Sequence, residues 1–484
     1  MLRRLIIFAL AVVLAFALPL QSLAQDGRAQ LASPQVKPAP TAAVLYEEAT
    51  NYSSRKFQEF AQSKVKFDSG LLEKTLKEQR ELATRNAAQL AARPGLAGED
   101  LFYLGMLYNL SENGAGAIET LKRYLAAKPA DEKHAQGARY ALVQISAKMN
   151  LFEDAERSLS DYIKNQPQTP NERFFMEDAL ARAFLKAKQL ERALAHADED
   201  FKAAKLIKPS PNNPTSSSYA IYTSGTTLVE VLLAMKKAER AVSVLEEMRQ
   251  AAITMTNQRL YLDVTERLAT VLIEAERKPE AVRMLEESIA YVTANVKDQK
   301  AQSQLLSGLR NKMKQSQLRG EIAPEILVAR WIDQKPLKLA DLRGQVVLLD
   351  FWATWCGPCI AAFPYLKEWH EKYKERGLVI IGLTRYYGSG EGREMLPAEE
   401  FTFIEKFKKE HELPYGIAVA EGSVNLGNYA VTGIPTAVLI DRQGKVRYVT
   451  TGTGAGTEAQ IAATIEKLLE EKAEVRVQND ELKK

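Results

Sequence analysis

Cys356 and Cys359 are the only cysteines in a chain of 484 residues, and they stand one helical turn apart in Trp355-Cys356-Gly357-Pro358-Cys359. One internal disulfide is therefore the most covalent cross-linking this fold can have. A Cys-x-x-Cys pair can be half of a zinc site, but such sites need four ligands in paired clusters. Only four scattered histidines, His134, His196, His370 and His411, are available, so no metal is expected. Just upstream, Val346-Val347-Leu348-Leu349-Asp350-Phe351-Trp352 is a short apolar run of the kind that forms a strand buried on both faces. Gly357 and Pro358 mark the turn into a helix, because a proline in the first helical turn gives up an N–H that has no partner there. The expected order is strand, cysteine, turn, cysteine, helix.

That order has chemical meaning. A helix start presents unpaired N–H groups and a partial positive charge, which favour thiolate over thiol in a cysteine placed there. Cys356 is the expected nucleophile. Cys359 is the expected resolving thiol, which attacks the mixed disulfide and releases the reduced partner. Taken with Asp350-Phe351-Trp352-Ala353, the Trp355 to Cys359 stretch resembles the active site of the thioredoxins, and Gly433-Ile434-Pro435-Thr436 resembles their companion loop. The resemblance implies a redox-active Cys356–Cys359 disulfide within a Trp355, Gly357, Pro358 motif. It also implies a cis Pro435 lying against the disulfide, and an Ile434 that offers backbone groups to an extended substrate by strand addition. Gly-Pro between the cysteines resembles thioredoxin, with a potential near −270 mV, and not the strongly oxidising proteins near about −120 mV. Reduction of substrate disulfides is the expected direction, with no cofactor beyond the cysteines.

The lead-in Gly320 to Ile326, and Leu339-Ala340-Asp341-Leu342-Arg343-Gly344 before the central strand, resemble the TlpA-like branch of extracytoplasmic thioredoxins. The expected fold over 319–472 is α/β with a mixed central sheet and an insertion in its middle. Leu378 to Leu383 reads as a second buried strand, Tyr386 to Gly392 as a loop and Glu399 to His411 as an amphipathic helix. A hairpin over Thr436–Ile440 and Lys445–Val449 and a closing helix over Glu458–Leu469 complete it, with a charged tail at 473–484. Two positions depart from the branch. Asp350 stands where TlpA-like proteins often have asparagine. Buried behind the cysteines, its carboxyl would have a raised pKa and could exchange a proton with Cys359; the alternative is a strand-end aspartate bonded to backbone. Ala362 stands where many of the branch carry a glutamate that assists the thiols, so a role in cytochrome c biogenesis through that glutamate has no residue to act.

From about 45 to 318 the chain is rich in Ala, Leu, Glu, Lys and Arg, which predicts helix throughout. Alanine opens the second helix of five apparent units, at Ala117, Ala155, Ala193, Ala241 and Ala281. Four residues later come Leu121, Leu159, Ala197, Leu245 and Leu285. A breaker-rich stretch, Lys208 to Pro214, accounts for the one long step. With Leu104-Gly105 and Tyr108 in the first unit, the pattern resembles degenerate tetratricopeptide repeats, an all-α solenoid of helical hairpins. Such stacks serve as rigid spacers or as concave docking surfaces for a protein partner, and both readings stay open.

The N-terminus pairs Arg3 and Arg4 with an apolar run from Leu5 to Leu18, broken by Pro19 and followed by small residues to Ala24. That run is short of the roughly 20 residues a membrane span needs, so 1–24 reads as a cleaved secretory signal, with an uncleaved anchor as the alternative. Residues 25–44, with Pro34, Pro38 and Pro40, read as a flexible linker. The protein is then periplasmic or otherwise extracytoplasmic, where the family resemblance implies a membrane thiol transporter of the CcdA/DsbD type as electron donor and proteins carrying disulfides or thiols as substrates. A net charge of +4, from 65 basic against 61 acidic residues, argues against nucleic acid. A scaffold that uses its thioredoxin-like part only for binding, and a disulfide oxidase or isomerase, are the competing functions. Gly452-x-Gly454-x-Gly456 lacks an accompanying basic residue and reads as a plain loop.

Overall fold

A computed structural model describes residues 39–209 and 215–471, which divide between two compact units, 1–244 and 245–484. The expected signal peptide, most of the linker, the core of the breaker-rich stretch and the charged tail lie outside the described residues. Among those described, no helix is long and apolar enough to cross a membrane.

Among the described residues helices dominate as far as Leu318: Ala42–Thr50 (α1), Tyr52–Gln62 (α2), Ser69–Ala91 (α3), Glu99–Leu110 (α4), Gly114–Ala126 (α5), Glu132–Lys148 (α6) and Phe152–Lys164 (α7) come first. Pro170–Lys186 (α8), Leu190–Leu206 (α9), Ser216–Ala234 (α10), Ala238–Thr254 (α11), Gln258–Glu274 (α12), Lys278–Asn295 (α13) and Gln299–Leu318 (α14) follow. The five repeated alanines are all fully buried. They sit at the second helix of five hairpins, where a small side chain lets two helices approach. Gly105 of α4 shows how closely: a Cβ there would lie 2.6 Å from Leu121 of α5, itself fully buried.

The repeat is written in the turns as well. Glu112, Asn150, Lys188, Lys236 and Glu276, each between the helices of a hairpin, adopt left-handed backbone with φ of 58° to 62°. The next N–H in each case reaches back across the helix end, Asn113 to Tyr108, Leu151 to Ser146, Gln189 to Phe184, Lys237 to Leu232 and Arg277 to Leu272, at 2.8 to 2.9 Å. This is the Schellman closure of a helix C-terminus, which satisfies carbonyls that the last turn leaves open.

The second unit takes in α12 to α14 and an α/β fold. Its strands are Arg330–Ile332 (β1), Val346–Phe351 (β2), Leu378–Arg385 (β3), Ser389–Gly390 (β4), Arg393–Glu394 (β5), Gly416–Ala420 (β6), Thr436–Ile440 (β7) and Val446–Thr451 (β8). Six of them form one sheet in the order β1-β6-β3-β2-β7-β8. β2 pairs parallel with β3 and antiparallel with β7, so the sheet is mixed, as expected. Every residue of β2 is buried. Val346, Leu348 and Trp352 pack on one face against helix Gly357–Tyr373 (α15), while Val347, Leu349 and Phe351 pack on the other. Helices Pro397–Glu410 (α16), Val424–Asn428 (α17) and Ala455–Glu470 (α18) complete the fold.

The segment entering this fold is fastened to its sheet. Gly320 N–H donates to the Val446 carbonyl (2.7 Å), Val446 N–H to that of Glu321 (2.9 Å) and Ala323 N–H to that of Gly444 (2.8 Å). Lys278 of α13 holds the same segment by the carbonyls of Gln317 and Arg319 and the Glu321 carboxylate, at 2.6 to 2.8 Å. The Gly452-x-Gly454-x-Gly456 loop closes on itself: Gly454, at φ +148°, donates its N–H to both carboxylate oxygens of Glu458 at 3.0 and 2.8 Å. The start of α18 thus carries its own anion.

Candidate active site

The C-terminal end of β2 delivers Trp352 and, four residues on, Cys356 as the residue that caps α15. The Cys356 Sγ accepts the Cys359 N–H at 3.2 Å, and the Cys356 carbonyl accepts from Cys359 and Ile360 at 3.0 and 3.1 Å. Pro358 lies in the first turn, and the helix continues through Pro364 to Tyr373. Cys356 and Cys359 are joined by a disulfide, and both are buried, with 4% and 1% of their surface exposed. Trp355 beside them is open to solvent.

The second loop comes to the same end of the sheet for a topological reason. β7 runs antiparallel to β2, and Thr436 at its start pairs with Phe351 at the end of β2. The residues before it, Ile434 and Pro435, are therefore carried to the disulfide end, and the peptide bond between them is cis. The Thr436 hydroxyl donates to the Gly433 carbonyl (2.7 Å), and Pro435 accepts from Gly452 N–H (2.8 Å), which pins the loop. Ile434 lines a narrow cleft, with room for about one water, together with Phe351, Trp352, Arg385, Tyr387 and Leu426.

The cleft's other wall comes from the insertion. Buried Glu400 of α16 accepts the N–H groups of Tyr387 and Gly388, both at 2.8 Å. Tyr387 is thereby held perpendicular to the Trp355 ring, 5.3 Å between centroids, with the Arg385 guanidinium 4.2 Å from its own ring centroid. Nothing in the sequence pattern marks Glu400, which reads as one more charge on an amphipathic helix. Glu400→Ala leaves two backbone donors without acceptors and is expected to cost about 2 to 4 kcal/mol. Faster amide hydrogen exchange at Tyr387 and Gly388 is the accompanying signature.

Asp350 is buried, with 4% of its surface exposed. In the β2 alternation it belongs with Val346, Leu348 and Trp352, so its side chain faces α15. Burial alone raises its pKa to about 7.

A Redoxin family profile matches residues 320–465. The thiol-disulfide oxidoreductase ResA of a Bacillus cereus strain is 35% identical over 150 residues, covering 31% of this chain and 78% of that protein. The chain belongs to the ResA-like thiol-disulfide oxidoreductases. ResA of Geobacillus thermodenitrificans is 31% identical over 134 residues, covering 28% of this chain and 70% of its own. A thiol:disulfide interchange protein of Chlorobium tepidum TLS shares 25% identity, covering 31% of this chain and 97% of its own, at a TM-score of 0.26.

Elsewhere in this ResA-like oxidoreductase, the histidines are mostly occupied. His134 stacks on Phe102 and bonds Glu99, and His196 stacks on Phe184 between Glu177 and Glu156. His411 packs on Phe363 and Phe407. Glu99, Asp131 and His134 bring three possible ligand atoms within 4.8 Å of one another, but the His134 Nδ1 is taken by Glu99 at 2.5 Å and Asp131 caps α6. Those donors serve the fold, and no metal is assigned to them.

Proposed function

We propose that this oxidoreductase is exported and reduces protein disulfides, with Cys356 as nucleophile and Cys359 as resolving thiol. The observation that carries the reading is the Cys356 sulfur at the N-cap of α15, accepting the Cys359 N–H at 3.2 Å. In the reduced protein the same N–H and the helix dipole favour a Cys356 thiolate. A substrate thiol pair is released when Cys359 attacks the mixed disulfide. Ile434, beside the cis bond at Pro435, is the proposed site of strand addition for an extended substrate. Similarity to ResA and the apolar run at Leu5 to Leu18 support export. In an oxidising compartment the electrons must come across the membrane, so a thiol transporter of the CcdA/DsbD type is the proposed donor. The helical hairpins are the proposed dock for that donor or for substrates.

The test is the reduction potential of the 25–484 chain in defined thiol–disulfide buffers, with insulin reduction as its companion. A value near −270 mV and turnover of insulin are expected. A value near about −120 mV reverses the direction and makes the protein an oxidant.

A further inference from the structure

Buried polar atoms almost always find a partner, and those that do not ask for an explanation. Three of those without one belong to residues that neighbour one another in sequence of contact: the Trp352 Nε1, the Tyr415 hydroxyl and the His370 Nδ1. Trp352 and Tyr415 have 1% and 3% of their surface exposed. Their closeness follows from Gly382 of β3, whose Cα is paired in register with Asp350. A Cβ on Gly382 would stand 3.0 Å from the Trp352 Nε1 and 3.4 Å from the Tyr415 ring. Gly382 shares the α15 face of the sheet with Asp350, as the burial of its neighbours Ile380 and Ile381 on opposite faces requires. Tyr415 is near enough to feel the Asp350 charge, and its ring lies 6.3 Å from that of His370 on α15.

We infer that Asp350, the Trp352 Nε1, the Tyr415 hydroxyl and the His370 Nδ1 enclose a buried water-binding site that passes protons between Asp350 and the flank of the active-site helix, with His370 as its outer end. Water is the ligand whose size and mixed donor and acceptor character suit two donors, a carboxyl and an imidazole nitrogen in one pocket. The site rests on the disulfide-reductase reading for its use. When Cys359 attacks, its S–H bond breaks and its sulfur bonds to Cys356. The sulfur–sulfur bond to the substrate breaks, and the substrate thiolate leaves with the electron pair. The Cys359 proton goes to the Asp350 carboxylate, and the site hands it through water to His370 and solvent. Reduction of the disulfide runs the path in reverse.

The charged groups around this path are few. Tyr415 faces Asp350. Near His370 stand Glu371 of its own helix, Lys374 just past that helix's end and Lys408 of α16, whose amine is held by Asp333 at 2.8 Å and the Leu413 carbonyl at 2.9 Å. Burial, with help from Lys374 and Lys408, pulls the His370 pKa down, which leaves a neutral ring able to take and return a proton.

The experiment compares the 25–484 chain with Tyr415→Phe and His370→Gln, each alone and combined with Asp350→Asn. Single-turnover oxidation of the reduced protein by a model peptide disulfide is followed across pH about 5 to 9. Each single variant is expected to slow the resolving step about threefold to tenfold near neutral pH and to add nothing once Asp350 is Asn. Wild-type rates in both, or equal slowing with and without Asp350, overturn the site. Should Tyr415→Phe fail to fold, half-buried His370 carries the same comparison. A second readout needs no substrate: infrared titration of the Asp350 carboxyl, in which Tyr415→Phe should raise the midpoint by about one unit. An unchanged midpoint overturns the water site. That shift in a chain that reduces no disulfide upholds the site and overturns the reductase reading.

Discussion

Cys356→Ser is expected to abolish disulfide reduction, by on the order of a thousandfold or more. The prediction is sharp because serine is a good N-cap and its hydroxyl can take over the N–H of Cys359 that the sulfur now accepts, so α15 should keep its start. What disappears is the proposed nucleophile, a polarisable sulfur at a helix start that favours its anion. Cys359→Ser should behave differently. Capture by Cys356 survives while release stops, so the variant accumulates one covalently bound substrate per chain. Insulin turnover, circular dichroism and a non-reducing gel measure the three outcomes. A folded Cys356→Ser protein retaining a tenth or more of its activity, at about 0.1 of wild type, would place the attacking thiol elsewhere, and Cys359 is the only other one in the chain.

The second large effect concerns stability. The Asp350 carboxyl titrates near 7 in the folded chain against an ordinary value of 3.8, through desolvation. Below 3.8 it is protonated whether the chain is folded or not, and it costs nothing. Between the two values the unfolded chain has lost the proton that the folded chain keeps, so stability falls as pH rises, and the full penalty is present above about 7. Asp350→Asn should therefore stabilise the second unit by up to about 4 kcal/mol at alkaline pH and by almost nothing at acid pH. Denaturant unfolding at both extremes checks the sign. A difference that does not depend on pH would mean that the carboxyl is solvated. The same substitution removes the proposed acceptor for the Cys359 proton, so the variant should be more stable and slower together.

The site's two anchors were legible because each is punctuated: paired cysteines after an apolar strand, and Gly-Ile-Pro before another. Cys-Gly-Pro-Cys needs a helix start, and the helix is there. β1 escaped notice since three residues show no resolvable period, and β6 because Gly416 to Ala420 lacks the adjoining hairpin turn that marked the equally short Thr436 to Ile440. The left-handed turn positions escaped notice too, because Lys188, Lys236 and Glu276 take that backbone without being glycine, as the Schellman closure of each helix requires. Trp352, Tyr415 and His370 look like core and surface residues in sequence. Only the sheet register brings the Trp352 Nε1 and the Tyr415 ring together over Gly382, opposite Asp350, and no spacing along the chain encodes that.

The backbone strap from Gly320 to Ala323 bears on how this protein can be dissected. β8 is an outer strand, and Val446 at its start turns both its N–H and its carbonyl toward the strap. Cutting the chain at β1 would bare that rim and leave a row of hungry amides and carbonyls, an invitation to stack with another copy. An excised redox module should therefore begin ahead of Gly320, and one that begins at Arg330 should associate at the rim even with its disulfide chemistry whole.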